Sequence, residues 1–181
     1  MEPLTGSLLV ASHDLTDVHF RRSVVLVLAH DADEGAAGVI LNRPTPAALP
    51  ARLSSWRSLV AAPEVMFVGG PVARDTVIGI AVANGGIDGP GWQPIANGIG
   101  VVDLTRDAAL LGRQLRAVRL FSGYAGWGGG QMEREIASGS WFVVDAHADD
   151  PLSPSPDALW RAVLARQGGM FTTVPDDPSL N

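Results

Sequence analysis

LFSGYAGWGGGQMEREI, residues 120–136, opens as an apolar strand, passes five glycines within eight residues around one tryptophan, and resumes with helical spacing. Gly123, Gly126, Gly128, Gly129 and Gly130 each raise the entropy cost of ordering the chain. Glycine at this density therefore marks special backbone angles or close approach of backbone to something else. Two readings stay open. The loop either cradles an anion with free amides and the positive end of the following helix, or it is a structural turn packed around Tyr124 and Trp127. It does not match G-x-G-x-x-G, because the sixth position counted from Gly126 is Gln131, and the chain has no lysine for a Walker A loop. Dinucleotide binding is not expected.

Outward from this stretch, apolar runs predict strands at 8–12, 23–30, 38–43, 65–70, 76–83, 99–104, 118–123 and 140–145. Most are continuous rather than alternating, which suits strands covered on both faces. Helices are predicted at 49–61, 107–117, 131–138 and 157–167, and the glycine- and proline-rich segment 83–100 reads as a surface loop. The expected fold class is α/β, a single layered domain over residues 1–175 with a mixed β-sheet covered by helices, followed by a flexible tail at 176–181.

Composition sets limits on function. With 181 residues, 46% of them hydrophobic and 18% charged, the chain supports one sizeable core. It has no cysteine, which excludes disulfides, thiolate nucleophiles and cysteine-ligated metals. All 13 strongly basic side chains are arginine, so lysine Schiff-base chemistry is excluded too. No apolar run reaches the length of a membrane helix and the N-terminus lacks a secretion pattern, so a cytoplasmic protein with no membrane association is expected. A net charge of −6 disfavours direct nucleic-acid binding.

Strands 23–30 and 38–43 are joined by a short turn and should form a hairpin, with FRRS and NRP at one end and His30 at the other, roughly 20 Å apart by the strand rise. If helices 49–61 and 107–117 are crossovers between parallel strands, Asn42, Arg43, Gly70 and Gly128 share one sheet edge, where ligands of open α/β sheets bind. Arg21, Arg22, Asn42, Arg43 and Arg74 then either grip a carboxylate or phosphate, or Asn42 caps a turn while the arginines are paired or solvated. HDADE and DAHADD place histidine beside carboxylates but read as solvated turns rather than metal sites. No cofactor is implied. Ser122 lacks the G-x-S-x-G elbow and a nearby base.

GSLLVAS, DVHFRRSVVLVLAHDADEGAAGVILNRP, MFVGGPV, GYAGWGGGQMEREIASGSWFVVDA and PDALWRAVLARQG, in this order and spacing, resemble the bacterial YqgE/AlgH family over nearly the whole chain. The sequence departs from the family pattern at His13, where the family has proline. The resemblance implies a compact cytoplasmic α/β protein with no established biochemical activity, and the family label implies a regulatory role.

The favoured reading is a noncatalytic protein that binds a small anionic ligand or a protein partner at the glycine-rich edge. Its candidate lining is Arg21, Arg22, Asn42, Arg43, Gly69, Gly70, Arg74, Gly123, Tyr124, Gly126, Trp127, Gly128, Gly129 and Gly130. The alternatives are a transcriptional regulator and a hydrolase or transferase using Ser122 or a carboxylate. Helix 107–117 offers a regulator only Arg113 and Arg116, without a helix-turn-helix pattern. Pure protein is therefore expected to bind duplex DNA only weakly at physiological salt; submicromolar, salt-sensitive binding by fluorescence anisotropy would contradict this.

Overall fold

The computed structural model describes residues 3–168, and the tail expected at 176–181 lies outside them. Among the described residues the chain forms strands β1 (Ser7–Ala11), β2 (Val24–Asp31), β3 (Gly35–Ile40), β4 (Phe67–Val68), β5 (Val72–Ala83), β6 (Trp92–Ala96), β7 (Ile99–Val102), β8 (Leu115–Gly128) and β9 (Trp141–Asp145), with helices α1 (Gln131–Ala137) and α2 (Leu159–Ala165). The sheet order is β6-β7-β5-β8-β3-β2-β1-β9, and β4 pairs with β8 off this path. Every neighbouring pair in that order is antiparallel, whereas β4 lies parallel to β8.

The glycine-rich stretch is not a loop after a strand. Up to Gly128 it is the second half of β8, a strand of 14 residues, and Gly129 and Gly130 form the turn into α1. The first part of β8 pairs with β5, from Leu115 opposite Ala83 to Ser122 opposite Val77, and its last residues, Ala125–Gly128, pair with β3. Between them lies Gly123 with φ 74°, a left-handed angle that a residue with a Cβ rarely adopts. The bend lets one strand serve two halves of a curled sheet.

Curling brings Leu8, Val10, Val24, Leu26 and Val39 of one half into a single apolar cluster with Ile80, Val82, Ile99 and Phe121 of the other, joined by Trp160 and Val163 of α2. The outer faces are covered as well. Leu53, Trp56 and Leu111 lie over Val118 and Leu120 on one side, and Met132 of α1 lies with Val25, Val27, Ile40, Trp127 and Trp141 on the other. Burial on both faces explains why the strands read as unbroken apolar runs.

The expectation of a mixed sheet covered by helices overstates the helical layer. Segment Ala51–Leu59 is a 3-10 helix with a kink at Leu53, and 107–117 resolves into the 3-10 turns Ala108–Leu110 and Gly112–Gln114 before the chain enters β8. Gly112 interrupts the apparent helical period there. The 83–100 loop is corrected too, since it contains β6 and the first residues of β7. Their turn is Asn97–Gly98, with φ values of 52° and 81°, the Asn-Gly pair that tight hairpins favour. Of the two inferred crossovers, β7 and β8 do run the same way, on either side of β5. β3 and β4 do not, because β3 is antiparallel and β4 parallel to β8.

One buried charge braces this architecture. Arg119 of β8 is fully buried, and its guanidinium donates to the carbonyls of Pro151 (3.1 Å), Ser153 (2.8 Å) and Ala62 (2.6 Å) while lying 4.4 Å over the Phe67 ring. Desolvation pushes its pKa down to about 10, which still leaves it protonated at neutral pH. Arg119→Met would strand three carbonyls, each lost bond costing on the order of 1 kcal/mol or more. The expected outcome is a stability loss of about 3 kcal/mol in urea unfolding, with an unchanged midpoint counting against the brace.

Candidate functional site

The GQMEREI helix closes the glycine stretch by fastening rather than by opening a site. Gln131 accepts from the Gly128 amide through Oε1 (3.0 Å) and donates through Nε2 to Glu135 (2.8 Å). Glu135 Oε1 accepts from the indoles of Trp127 (3.1 Å) and Trp141 (3.0 Å), and these rings pack edge to face at 6.1 Å. The third polar residue, Glu133, hydrogen-bonds His30 Nε2. His30 Nδ1 accepts from the Leu4 amide (2.9 Å), which assigns the ring proton to Nε2 and makes Glu133 the acceptor. The bond from His30 holds the Glu133 carboxyl below the usual range. Its stabilising contribution is present above that range and fades as pH falls through the lowered value.

His30 is thus a buried tether between the N-terminal segment, the β2–β3 hairpin and α1, with a side chain only 1% exposed, and not part of a solvated turn. Asp31 accepts from the amides of Asp33 and Glu34, as a turn aspartate does. Asp150, in contrast, is buried in a two-pronged pair with Arg166 at 2.7 Å. Both histidine-carboxylate segments therefore have structural work.

The shared edge expected for Asn42, Arg43, Gly70 and Gly128 does not form. Gly128 lies opposite Gly35 at the turn end of β3, five residues or roughly 17 Å along the strand from Ile40, with Arg43 farther still. It shares the His30 end of the hairpin. Gly126 and Gly128 are exposed, and a Cβ on either would meet nothing closer than 3.7 Å, while one on Gly129 would lie 2.1 Å from the Asp33 carbonyl oxygen. Gly130 has φ 74° and precedes α1. Trp127 is buried against α1, and Tyr124 packs on the inner core. Gly69, Gly70 and Gly123 meet where backbones cross: a Cβ on Gly70 would lie 2.1 Å from the Tyr124 carbonyl carbon. Arg74 is exposed, and its carbonyl accepts the Ser122 hydroxyl.

Arg21, Arg22, Asn42 and Arg43, in contrast, come together in a cleft of about 440 Å³, completed by Asp157, Ala158, Trp160 and Arg161. Asn42 builds it by clamping the 20–24 turn, accepting from the Val24 amide (3.0 Å) and donating to the Arg22 carbonyl (2.8 Å). The turn is tight enough to hold Arg22 at φ 54°, uncommon for a residue other than glycine. Arg43 donates to the Arg21 carbonyl, and burial together with the nearby Arg21 charge lowers its pKa. Trp160, whose indole donates to the Ala11 carbonyl (2.7 Å), stands between the Arg22 and Arg161 guanidiniums at 6.0 and 5.7 Å from its ring. The Arg22 Nε is buried without a hydrogen-bond partner among the described residues. Sequence reasoning found the hairpin side of this cleft and missed the α2 side. The available signal was Trp160-Arg161 inside PDALWRAVLARQG, read as part of a covering helix.

Comparison with known proteins places the whole chain among relatives. An AlgH-like family model matches residues 8–172. A UPF0301 protein of Streptomyces avermitilis is 50% identical over 98% of this chain and 95% of its own length. Another, from Mycobacterium tuberculosis, is 40% identical over 97% of this chain and 90% of its own. A crystal structure of a Corynebacterium diphtheriae protein superposes with a TM-score of 0.90 at 30% identity, covering 96% of this chain and 92% of that one. The solution structure of the AlgH protein from Pseudomonas aeruginosa has the same fold, with a TM-score of 0.71 at 23% identity over 94% and 92% of the two chains.

The contrast at the fastened end is measurable in urea unfolding. Gly129→Ala forces backbone apart and is expected to cost about 2 kcal/mol. His30→Ala removes a buried ring and leaves the Leu4 amide without its acceptor, at about 1–3 kcal/mol. Gly128→Ala should stay within about 0.5 kcal/mol of the parent. A large loss at Gly128 with none at Gly129 would contradict the packing described.

Proposed function

The chain belongs to the AlgH-like family, and from that premise we propose that it is a noncatalytic protein that binds a small anionic ligand in the arginine cleft. The observation that carries this reading is charge imbalance in a confined space: among the described residues, the hairpin guanidiniums Arg21, Arg22 and Arg43 share a cleft of about 440 Å³ with a single lining carboxylate, Asp157. Arginine presents a planar fork that matches the two oxygens of a carboxylate or phosphate. The three hairpin forks repel one another, and an anion among them relieves that repulsion. The cleft is within the size range of small-molecule sites.

Its chemistry favours holding over reacting. Among the described residues the lining contains no histidine, serine or threonine, so it offers no hydroxyl nucleophile paired with a base. Ser122, the one hydroxyl singled out at the glycine stretch, donates to the Arg74 carbonyl and lies outside this lining. The regulator reading gains nothing from a chain of net charge −6 whose arginines here face a cleft rather than a groove-sized surface.

Titration with inorganic phosphate, followed by amide chemical shifts, tests the reading. Saturable shifts are expected around Arg21, Arg22, Asn42 and Arg43, with a dissociation constant on the order of millimolar that weakens as salt rises. Arg21→Gln, at an exposed position, should weaken binding about fivefold while leaving the fold intact. Absence of saturable shifts at concentrations of about tens of millimolar would overturn the proposal.

A further inference from the structure

The arginine cleft has a neighbour of opposite character. Arg43 also lines a second pocket, of about 240 Å³, whose other walls include Val18, Ile40, Pro44, Val68 and Pro71; among the described residues, His19 is the one other polar side chain that reaches it. Val18 is 72% exposed, a large apolar side chain standing in solvent at this pocket. Arg43 can belong to both spaces because an arginine stem is hydrocarbon and its head is charged. The head is fixed by its hydrogen bond to the Arg21 carbonyl, on the arginine side. Charge and apolar surface are thus set side by side, with one residue as the partition.

We propose that the ligand is a small organic anion with an apolar body: its carboxylate or phosphate group sits among the guanidiniums, and its hydrocarbon part passes Arg43 into the pocket walled by Val18, Pro44, Val68 and Pro71. This rests on the anion-binding reading of the cleft and adds the class of molecule. The second pocket has room for one aromatic ring or a short branched chain, since an apolar cavity of about 150 Å³ is enough for benzene. An inorganic anion would leave this apolar surface wet, whereas an amphiphilic one covers it and gains affinity from the water released. Pro44 and Pro71 are ring-restrained walls, so the pocket loses little freedom when filled.

The test uses the full chain and three probes that separate charge from apolar contact: inorganic phosphate, methyl phosphate and phenyl phosphate. Phenyl phosphate is expected to bind about tenfold more tightly than methyl phosphate. Its ring should shift the methyl resonances of Val18, Ile40 and Val68, which methyl phosphate leaves in place. Arg43→Gln should weaken both monoesters. Equal affinity for the two monoesters, or a phenyl advantage without shifts at those methyl groups, would overturn this inference while leaving the anion reading of the cleft standing. Failure of all three probes to bind would remove both.

Discussion

Just past β4, where Gly69 and Gly70 cross Gly123 of β8, there is no room for side chains. A Cβ on Gly69 would lie 2.3 Å from the Gly123 carbonyl oxygen, and one on Gly123 would lie 2.5 Å from that of Gly70. This close crossing, together with the left-handed angle at Gly123, allows one strand to leave β5 and continue against β3. The curl, the inner apolar cluster and both outer layers follow from it. A flat sheet of these strands would leave Leu26 and Ile80 on surfaces facing water, whereas the curled sheet buries both completely.

Two ends of the hairpin β2–β3 then acquire different chemistry. At the turn end, polar groups are spent on one another: Gln131, Glu133 and Glu135 are bonded to an amide, a histidine and two indoles. Such a closed network specifies the position of α1, a helix of seven residues that has little stability of its own. At the other end, Asn42 spends its amide on the turn, and the arginines it positions are gathered around open space. The turn end is a satisfied network, whereas at the other end Arg21, Arg22 and Arg43 outnumber Asp157 among the described lining residues. That contrast puts the proposed site at the arginine end and not in the glycine stretch.

Arg119 and the cleft arginines show the same side chain used in two ways. Buried Arg119 has three carbonyl acceptors and an aromatic face, a coordination that leaves no opening for a ligand. The cleft arginines are arranged around Trp160, with Arg22 and Arg161 over its ring, and they border a space of ligand size. With no lysine in the chain, the buried brace and the cleft draw their cations from the same residue type, and only the surroundings distinguish them.

Local features were legible from the sequence because their causes are local. Apolar runs located most strands, the short DADEGAA turn made β2–β3 a hairpin, and that hairpin alone brought Arg21 and Arg22 beside Asn42 and Arg43. The beginning of α1 and its end before Gly139 were also readable. The glycines of GYAGWG obscured an alternation that was present: Ala125 and Trp127 are buried under α1, and Gly126 and Gly128 on the other face are exposed, as in a strand. Asn97-Gly98 was a hairpin signal inside a segment whose glycine and proline content suggested only loop. What tertiary structure alone decided depends on contacts between distant residues. His30 meets Glu133 across 103 positions, and Trp160 reaches Ala11 across 149, carrying α2 and Arg161 to the cleft. Periodicity reports which residues are buried, but not which buried faces meet, and the cleft exists only because a particular pair of faces does.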